Sequence, residues 1–145
     1  MTGLLLITVL LLLCGGPAYA EWTELGISGE DKDESTNYFD MARIRRAGHL
    51  AIIRVLYDYT TTQTIGGKSY LSIKGLRQFN CQEGTWRILA AYLHSEHMGN
   101  GNIQRSDTDA RKWQPVVPES VADGEWKLPV PSSDRAVLER CRRYH

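Results

Sequence analysis

The sequence predicts an α+β fold in two layers, an antiparallel sheet packed against a C-terminal helix, with one disulfide bond between them. Three observations lead to this prediction. An aliphatic run at the N-terminus indicates export, apolar side chains alternate along several segments in the middle of the chain, and two distant cysteines remain after export.

Residues 1–20 are predicted to be a cleavable secretory signal. Leu4 to Leu13 is a run of ten almost purely aliphatic residues, whereas a helix needs about 20 apolar residues to span a bilayer. Small side chains at Ala18 and Ala20 suit a signal peptidase. The mature chain is therefore expected to begin at Glu21 and to form one domain, residues 21–145.

Cleavage removes Cys14 and leaves Cys81 and Cys141. In an oxidising compartment two such cysteines are expected to be joined, although two buried thiols are an alternative. A metal site is disfavoured, because the pair lacks the close spacing of metal-ligating cysteines. Lipidation of Cys14 is a second alternative, which the bulky Leu13 before it disfavours.

The charges balance overall but are segregated along the chain. Lys plus Arg and Asp plus Glu each number 17, so no global field favours nucleic acid or a membrane surface. Residues 21–40 carry seven acids and one Lys, and residues 41–80 carry seven bases and one Asp. A candidate binding patch follows, made of Arg43, Arg45, Arg46, Arg54, Lys74 and Arg77. Such a patch suits a sulfated sugar or an acidic protein, and the alternative is an ordinary solvated surface.

Alternation of apolar residues predicts three main strands, Leu50–Tyr59, Tyr70–Cys81 and Thr85–His94. In the second strand the alternation changes phase near Gly75, which predicts a β-bulge. The Asn-Gly pair within Met98–Asn102 predicts a tight hairpin turn. Weaker patterns predict further strands at Trp22–Ser28, Asn37–Asp40 and Ile103–Trp113.

The C-terminal part is predicted to end in a helix. Four prolines break regular structure between Pro115 and Pro131, with at most one helical turn around Ser120–Ala122. Ser132 or Ser133 can cap a helix that runs to about Arg143. Its apolar face holds Val137, Leu138, Cys141 and Tyr144, so the helix can bring Cys141 to Cys81 and be tied to the sheet.

No catalytic, cofactor-binding or metal-ligating residue is predicted. His94-Ser95-Glu96-His97 is the cluster that hints at a metal, but residues three apart on a strand face opposite sides of the sheet. Five tyrosines could form a binding face, and we interpret them as packing residues instead: Tyr38, Tyr57, Tyr59, Tyr70 and Tyr92.

The order of several short segments resembles that of the surface-adhesin protein E family of Gram-negative bacteria. The matching segments are Trp22, Asn37-Tyr38-Phe39-Asp40, Ile44, Val55-Leu56-Tyr57-Asp58-Tyr59, Lys68-Ser69-Tyr70-Leu71-Ser72, Phe79-Asn80-Cys81, Arg87-Ile88-Leu89, Trp113 to Val121, and Cys141. The resemblance implies a sheet of about six strands with a C-terminal helix held by a disulfide. This sequence departs from the family pattern at Gly124–Pro131, a segment that lengthens the path to the helix. Thr85–His94 also lacks the Lys-rich character of adhesive members.

The resemblance implies an exported, non-enzymatic protein of the periplasm or outer-membrane surface, in some members an adhesin. Its expected partners are a host matrix protein or a sulfated polysaccharide, and a homodimer through a sheet edge is a further hypothesis. No nucleic acid and no membrane span are expected. The alternative function is a small periplasmic ligand-binding module or hydrolase that uses His94 and His97.

Overall fold

A computed structural model describes residues 22–126 as an open antiparallel sheet of eight strands with one short helix. The strands are β1 (Trp22–Ser28), β2 (Ser35–Asp40), β3 (Arg45–Ala47), β4 (Leu50–Ile65), β5 (Lys68–Asn80), β6 (Thr85–His94), β7 (Ile103–Asp107) and β8 (Gln114–Pro115), and the helix is α1 (Val121–Trp126). Their order in the sheet is β1-β2-β4-β5-β6-β7, while β3 pairs with β4 and β8 with β6.

The predicted antiparallel sheet is confirmed, and its main path has six strands flanked by two short ones. β1 and β6 have the predicted bounds. β4 continues to Ile65 because its threonine-rich end pairs with β5 across a turn at Gly66 and Gly67, both at positive φ. β7 ends at Asp107 rather than Trp113, because the Asp107 carboxylate accepts the backbone N–H of Asp109 and turns the chain.

A register shift occurs beside Leu76 and Arg77, but the extra residue lies in β6 and not in β5 as predicted, because β5 keeps its alternation against β4 from Ser72 to Asn80. Leu76 pairs with Ala90 and Arg77 with Ile88, so β6 holds one extra residue at this point. Gly75 itself lies against β4, where an added Cβ would come within 3.2 Å of Val55 Cγ2. The glycine therefore serves close strand packing, and the bulge redirects the side chains of β6 beyond it.

The two faces of the sheet differ. The main buried cluster lies on the face where α1 packs and consists of Phe39, Ile53, Val55, Phe79, Cys81, Val116 and Ala122. α1 also approaches β1, where an added Cβ at Gly124 would stand 3.4 Å from Leu25 Cδ2. We call this side the helix face, and alternation along β4 and β5 sends every second side chain to the opposite face.

Several predictions concern residues beyond those described. The signal at residues 1–20, the helix from Ser132 or Ser133 to Arg143, and Cys141 all lie outside residues 22–126. Cys81 lies in the core with 6% exposure, but its pairing with Cys141 stays a prediction, as does the homodimer. The helical turn predicted around Ser120–Ala122 corresponds to α1, which runs on to Trp126.

A buried ion pair fastens α1 to the sheet. Glu125 is 2% exposed and accepts hydrogen bonds from Tyr57 Oη and Arg77 Nη1, each at 2.9 Å. The Arg77 guanidinium lies 4.5 Å from the Trp86 ring centroid and 5.2 Å from that of Tyr57. Burial raises the pKa of Glu125, and the bonds from Arg77 and Tyr57 oppose that rise by favouring the carboxylate.

We predict that Glu125→Ala lowers the free energy of unfolding by about 3–5 kcal/mol, because it leaves the Arg77 guanidinium buried without its carboxylate. Tyr57→Phe, which removes one hydrogen bond and keeps the ring, is expected to cost about 1 kcal/mol. Urea unfolding measures both. The control is Glu83→Ala at an exposed position, and equal effects of the Glu83 and Glu125 variants would contradict the role of the ion pair.

Candidate functional site

Strand register divides the predicted basic patch between the two faces of the sheet. In the β4–β5 ladder Arg54 pairs with Leu76 and Lys74 with Leu56, which places Arg54 and Lys74 on the face opposite α1. Arg77 pairs with Ile53 on the helix face, where it binds Glu125. Arg77 is therefore part of the fold's internal ion pair.

The two arginines of β3 also point apart. Arg45 pairs with Ile52 and is exposed on the same face as Arg54, whereas Arg46 pairs with Ala51 and is partly buried towards the helix face. Arg43 lies in a short 3₁₀ turn just before β3. Of the six patch residues, Arg43, Arg54 and Lys74 line a common groove.

This groove has a volume of about 380 Å³ and combines cations with apolar and aromatic surface. We call it the cationic groove. Its lining is Trp22, Arg43, Arg54, Val55, Lys74, Gly75, Leu76 and Tyr92. Among these described lining residues there is no carboxylate, so the groove presents positive charge around a largely apolar floor.

A buried carboxylate positions Arg43. Asp40 is fully buried at the end of β2, and its Oδ2 lies 3.6 Å from Arg43 Nε. A buried charge is costly unless it is paired, so the Asp40 carboxylate attracts the Arg43 guanidinium towards the end of β2. The Arg43 side chain is still 43% exposed and can contact a ligand. Trp22 pairs with Asp40 across β1 and β2 and borders the same end of the groove.

The loop between β6 and β7 positions Lys74. The Lys74 side chain packs against Gly99, where an added Cβ would collide with Lys74 Cε, and Gly99 has φ +69°. Burial and the nearby Arg54 charge both lower the pKa of Lys74. The positive φ favours glycine at this position, and a larger residue would also push the end of the Lys74 side chain aside.

Asp58 and Ser72 anchor that loop from the sheet. Asp58 Oδ1 accepts the backbone N–H of Met98 at 2.7 Å, and Met98 has a left-handed φ of 56°. Ser72 is buried, donates to the Glu96 carbonyl at 2.5 Å and accepts the Gly99 N–H at 2.8 Å. The predicted hairpin turn at Met98–Asn102 is thus a pinned loop, with positive φ at Met98, Gly99 and Gly101 rather than at the asparagines.

His94 and His97 make separate contacts. His94 is 8% exposed beneath the loop, where it pairs with Ser72 in the ladder. His97 is mostly exposed, and its Nδ1 lies 3.2 Å from Asp58 Oδ1. Within residues 22–126 no group of three metal-ligating side chains occurs.

The tyrosines also divide between the faces. Tyr57 and Tyr59 line a cavity of about 360 Å³ on the helix face, and Tyr59 packs edge-to-face on Tyr70 with centroids 5.8 Å apart. Tyr92 instead borders the cationic groove. Trp22 and Tyr92 were not part of the predicted patch. They lie beside the cations only because of how the strands pair, and strand register was not predicted from the sequence.

Comparison with known proteins identifies the family. The family model described as Surface-adhesin protein E matches residues 22–128. The chain belongs to this family. It is therefore an adhesin-type, surface-exposed bacterial protein rather than an enzyme, which favours the adhesin interpretation over the hydrolase alternative for His94 and His97.

A solved structure supports the fold. The crystal structure of protein E from non-typeable Haemophilus influenzae matches with a TM-score of 0.52 and 9% identity, covering 90% of this chain and 93% of that chain. A search of the curated proteins gave no match. In the described part of the chain, no helix has the length and apolarity required to cross a membrane.

We predict a pH-dependent stability from His94. Burial and the Lys74 charge lower the pKa of folded His94 below its usual 6.5, although its hydrogen bonds to the Asn100 and Gly101 backbone favour protonation. As the pH falls below about 6.5 the unfolded chain therefore takes up the proton first, and stability is lost. Urea unfolding between pH 8 and pH 5 should show a smaller loss for His94→Gln than for the wild type.

The matched control for this prediction is His49→Gln, which replaces an exposed histidine outside the β6–β7 loop. Its unfolding free energy should follow the pH dependence of the wild type. If the His94→Gln and wild-type profiles run parallel over this range, burial of neutral His94 makes no pH-dependent contribution.

Proposed function

We propose that this protein is an exported surface adhesin that binds a polyanionic ligand of the host matrix through the cationic groove. One observation carries the proposal, the convergence of Arg43, Arg54 and Lys74 around a single groove. Membership of a surface-adhesin family supports a binding role. The polyanion is either an acidic segment of a matrix protein or a sulfated polysaccharide.

The electrostatics of the groove favour an anionic ligand. Arg54 and Lys74 are close enough for the Arg54 charge to lower the pKa of Lys74. Two like charges held together raise the energy of the empty site, and a bound anion relieves that repulsion. The chain has no net charge at neutral pH, so attraction of a polyanion depends on this local surface rather than on the whole protein.

The fold holds these cations in place before a ligand arrives. Asp40 pairs with Arg43 at one end, and the loop anchored by Asp58 and Ser72 packs against Lys74 at the other. Less side-chain freedom is then lost on binding, which increases affinity. Asp40 and Ser72 are fully buried, so neither contacts the ligand, and the Asp40 carboxylate offsets part of the Arg43 charge.

We predict that residues 21–145 bind immobilised heparin or polyglutamate. The double variant Arg54→Ala/Lys74→Ala should weaken this binding at least about tenfold, because two charge-assisted contacts are lost. The dissociation constant, measured by surface plasmon resonance, should also rise with salt. The matched control is Lys68→Ala/Arg105→Ala, which removes the same charges at exposed positions outside the groove. Equal loss in both double variants, or no binding of either polyanion, would refute the proposed function.

We also propose that the signal is cleaved before Glu21, that Cys81 and Cys141 form a disulfide, and that the mature protein lies in the periplasm or on the outer-membrane surface. Export supplies the oxidising environment in which such a bond persists. Cys81 is buried within the core cluster, so a bond there would join the C-terminal segment to the centre of the sheet. Closing such a loop stabilises a fold by roughly 4 kcal/mol in the chain-entropy model.

For this proposal we predict that protein recovered from the cell envelope has the intact mass of residues 21–145 and, when unfolded in denaturant, takes up no thiol-alkylating reagent until it is reduced. Cys141→Ser serves as the control and should expose one reactive thiol at Cys81 after unfolding. A full-length mass, or two alkylated thiols without reductant, would contradict it. Protease added to whole cells then separates the surface from the periplasm.

A further inference from the structure

We infer that the cationic groove recognises a sulfated sugar unit, one or two rings of a sulfated polysaccharide, in preference to an acidic protein segment. This inference rests on the proposed function and specifies its ligand. It is carried by two aromatic side chains, Trp22 and Tyr92, which line the same groove as Arg43, Arg54 and Lys74.

The aromatic side chains are brought to the cations by strand pairing. Tyr92 pairs with Lys74 across β5 and β6, and Trp22 stands at the far edge of the sheet, opposite Asp40. Both are partly exposed. The face of an aromatic ring carries negative electrostatic potential and packs well against weakly positive C–H groups. A sugar ring offers such a C–H surface, and its sulfates project from the rim towards cations.

The sheet face itself disfavours a peptide. The backbone groups of β4, β5 and β6 beneath the groove are engaged in the antiparallel ladders. A peptide lying across this face would find no backbone partners for its own N–H and C=O groups, whereas peptides that bind sheets add to an edge. A sulfate needs side-chain donors alone, and guanidinium groups bind such oxyanions with strong charge-assisted bonds.

The size of the groove sets the length of ligand that it holds. Its volume of about 380 Å³ lies near the lower end of the roughly 300–1,000 Å³ of small-molecule sites. This suits one or two sugar rings rather than an extended segment. Arg45 is exposed on the same face beyond the groove lining, where it can contact the sulfates of neighbouring rings in a longer chain.

The test compares three probes on residues 21–145 by isothermal titration calorimetry: a heparin tetrasaccharide, the same tetrasaccharide after complete desulfation, and a glutamate oligomer of equal charge to the first. We expect the sulfated sugar to bind at least about tenfold more tightly than either other probe. Equal binding of the glutamate oligomer would overturn the inference but leave the proposed function standing. Binding of none of the three would overturn both.

Two aromatic variants test the role of the rings. Trp22→Leu and Tyr92→Leu should each weaken binding of the sulfated tetrasaccharide by about threefold to tenfold, the range expected for one aromatic contact. Their binding of the glutamate oligomer should not change. The control is Trp113→Leu, an exposed tryptophan that packs on Arg87 outside the groove. Unchanged sugar binding in both folded variants would overturn the inference, and the three-probe comparison tests it should either variant not fold.

Discussion

The ion pair of Glu125 with Arg77 is the interaction on which the arrangement of the two sheet faces depends. It connects the short helix α1 to the middle of β5, and Tyr57 completes the contact from β4. Because Arg77 and the apolar cluster are engaged with α1 on the helix face, the cations that remain for binding lie on the other side of the sheet. The fold therefore uses one arginine of the basic segment for its own stability.

Strand alternation then decides which cations remain for binding. Arg54 and Lys74 face away from α1. Arg54 lies beside Leu76 of β5, and Lys74 packs against Gly99 of the β6–β7 loop. The loop depends on Ser72 and Asp58, neither of which lines the groove. Groove geometry is thus maintained by buried hydrogen bonds rather than by the cations themselves, which repel one another.

Much of the sheet could be predicted from the sequence, because period-two alternation and glycine positions are local signals. They located β1 and β6, whereas the phase change at Gly75 did not mark a bulge in β5, since the extra residue lies in β6. The binding surface was less predictable. Arg54 and Arg77 belong to the same basic segment of the sequence, but the pairing of β4 with β5 places them on opposite faces of the sheet. Trp22 joins the groove only through the pairing of β1 with β2, a long-range contact that no local pattern encodes. The ion pair of Glu125 is likewise a contact across distant segments.

Although the net charge is zero, the acidic and basic groups lie at different places on the sheet. The acidic segment Asp31–Asp33 is fixed beside the distal half of β4, where Thr61 Oγ1 and Gln63 Nε2 donate to the Lys32 carbonyl. The cationic groove lies against the other half of the same strand, around Arg54. One long strand therefore separates the two charge groups, so they do not neutralise each other locally. A protein that is neutral overall can then orient a polyanion towards one end of its sheet, because the attraction acts over about a Debye length, roughly 8 Å at physiological salt.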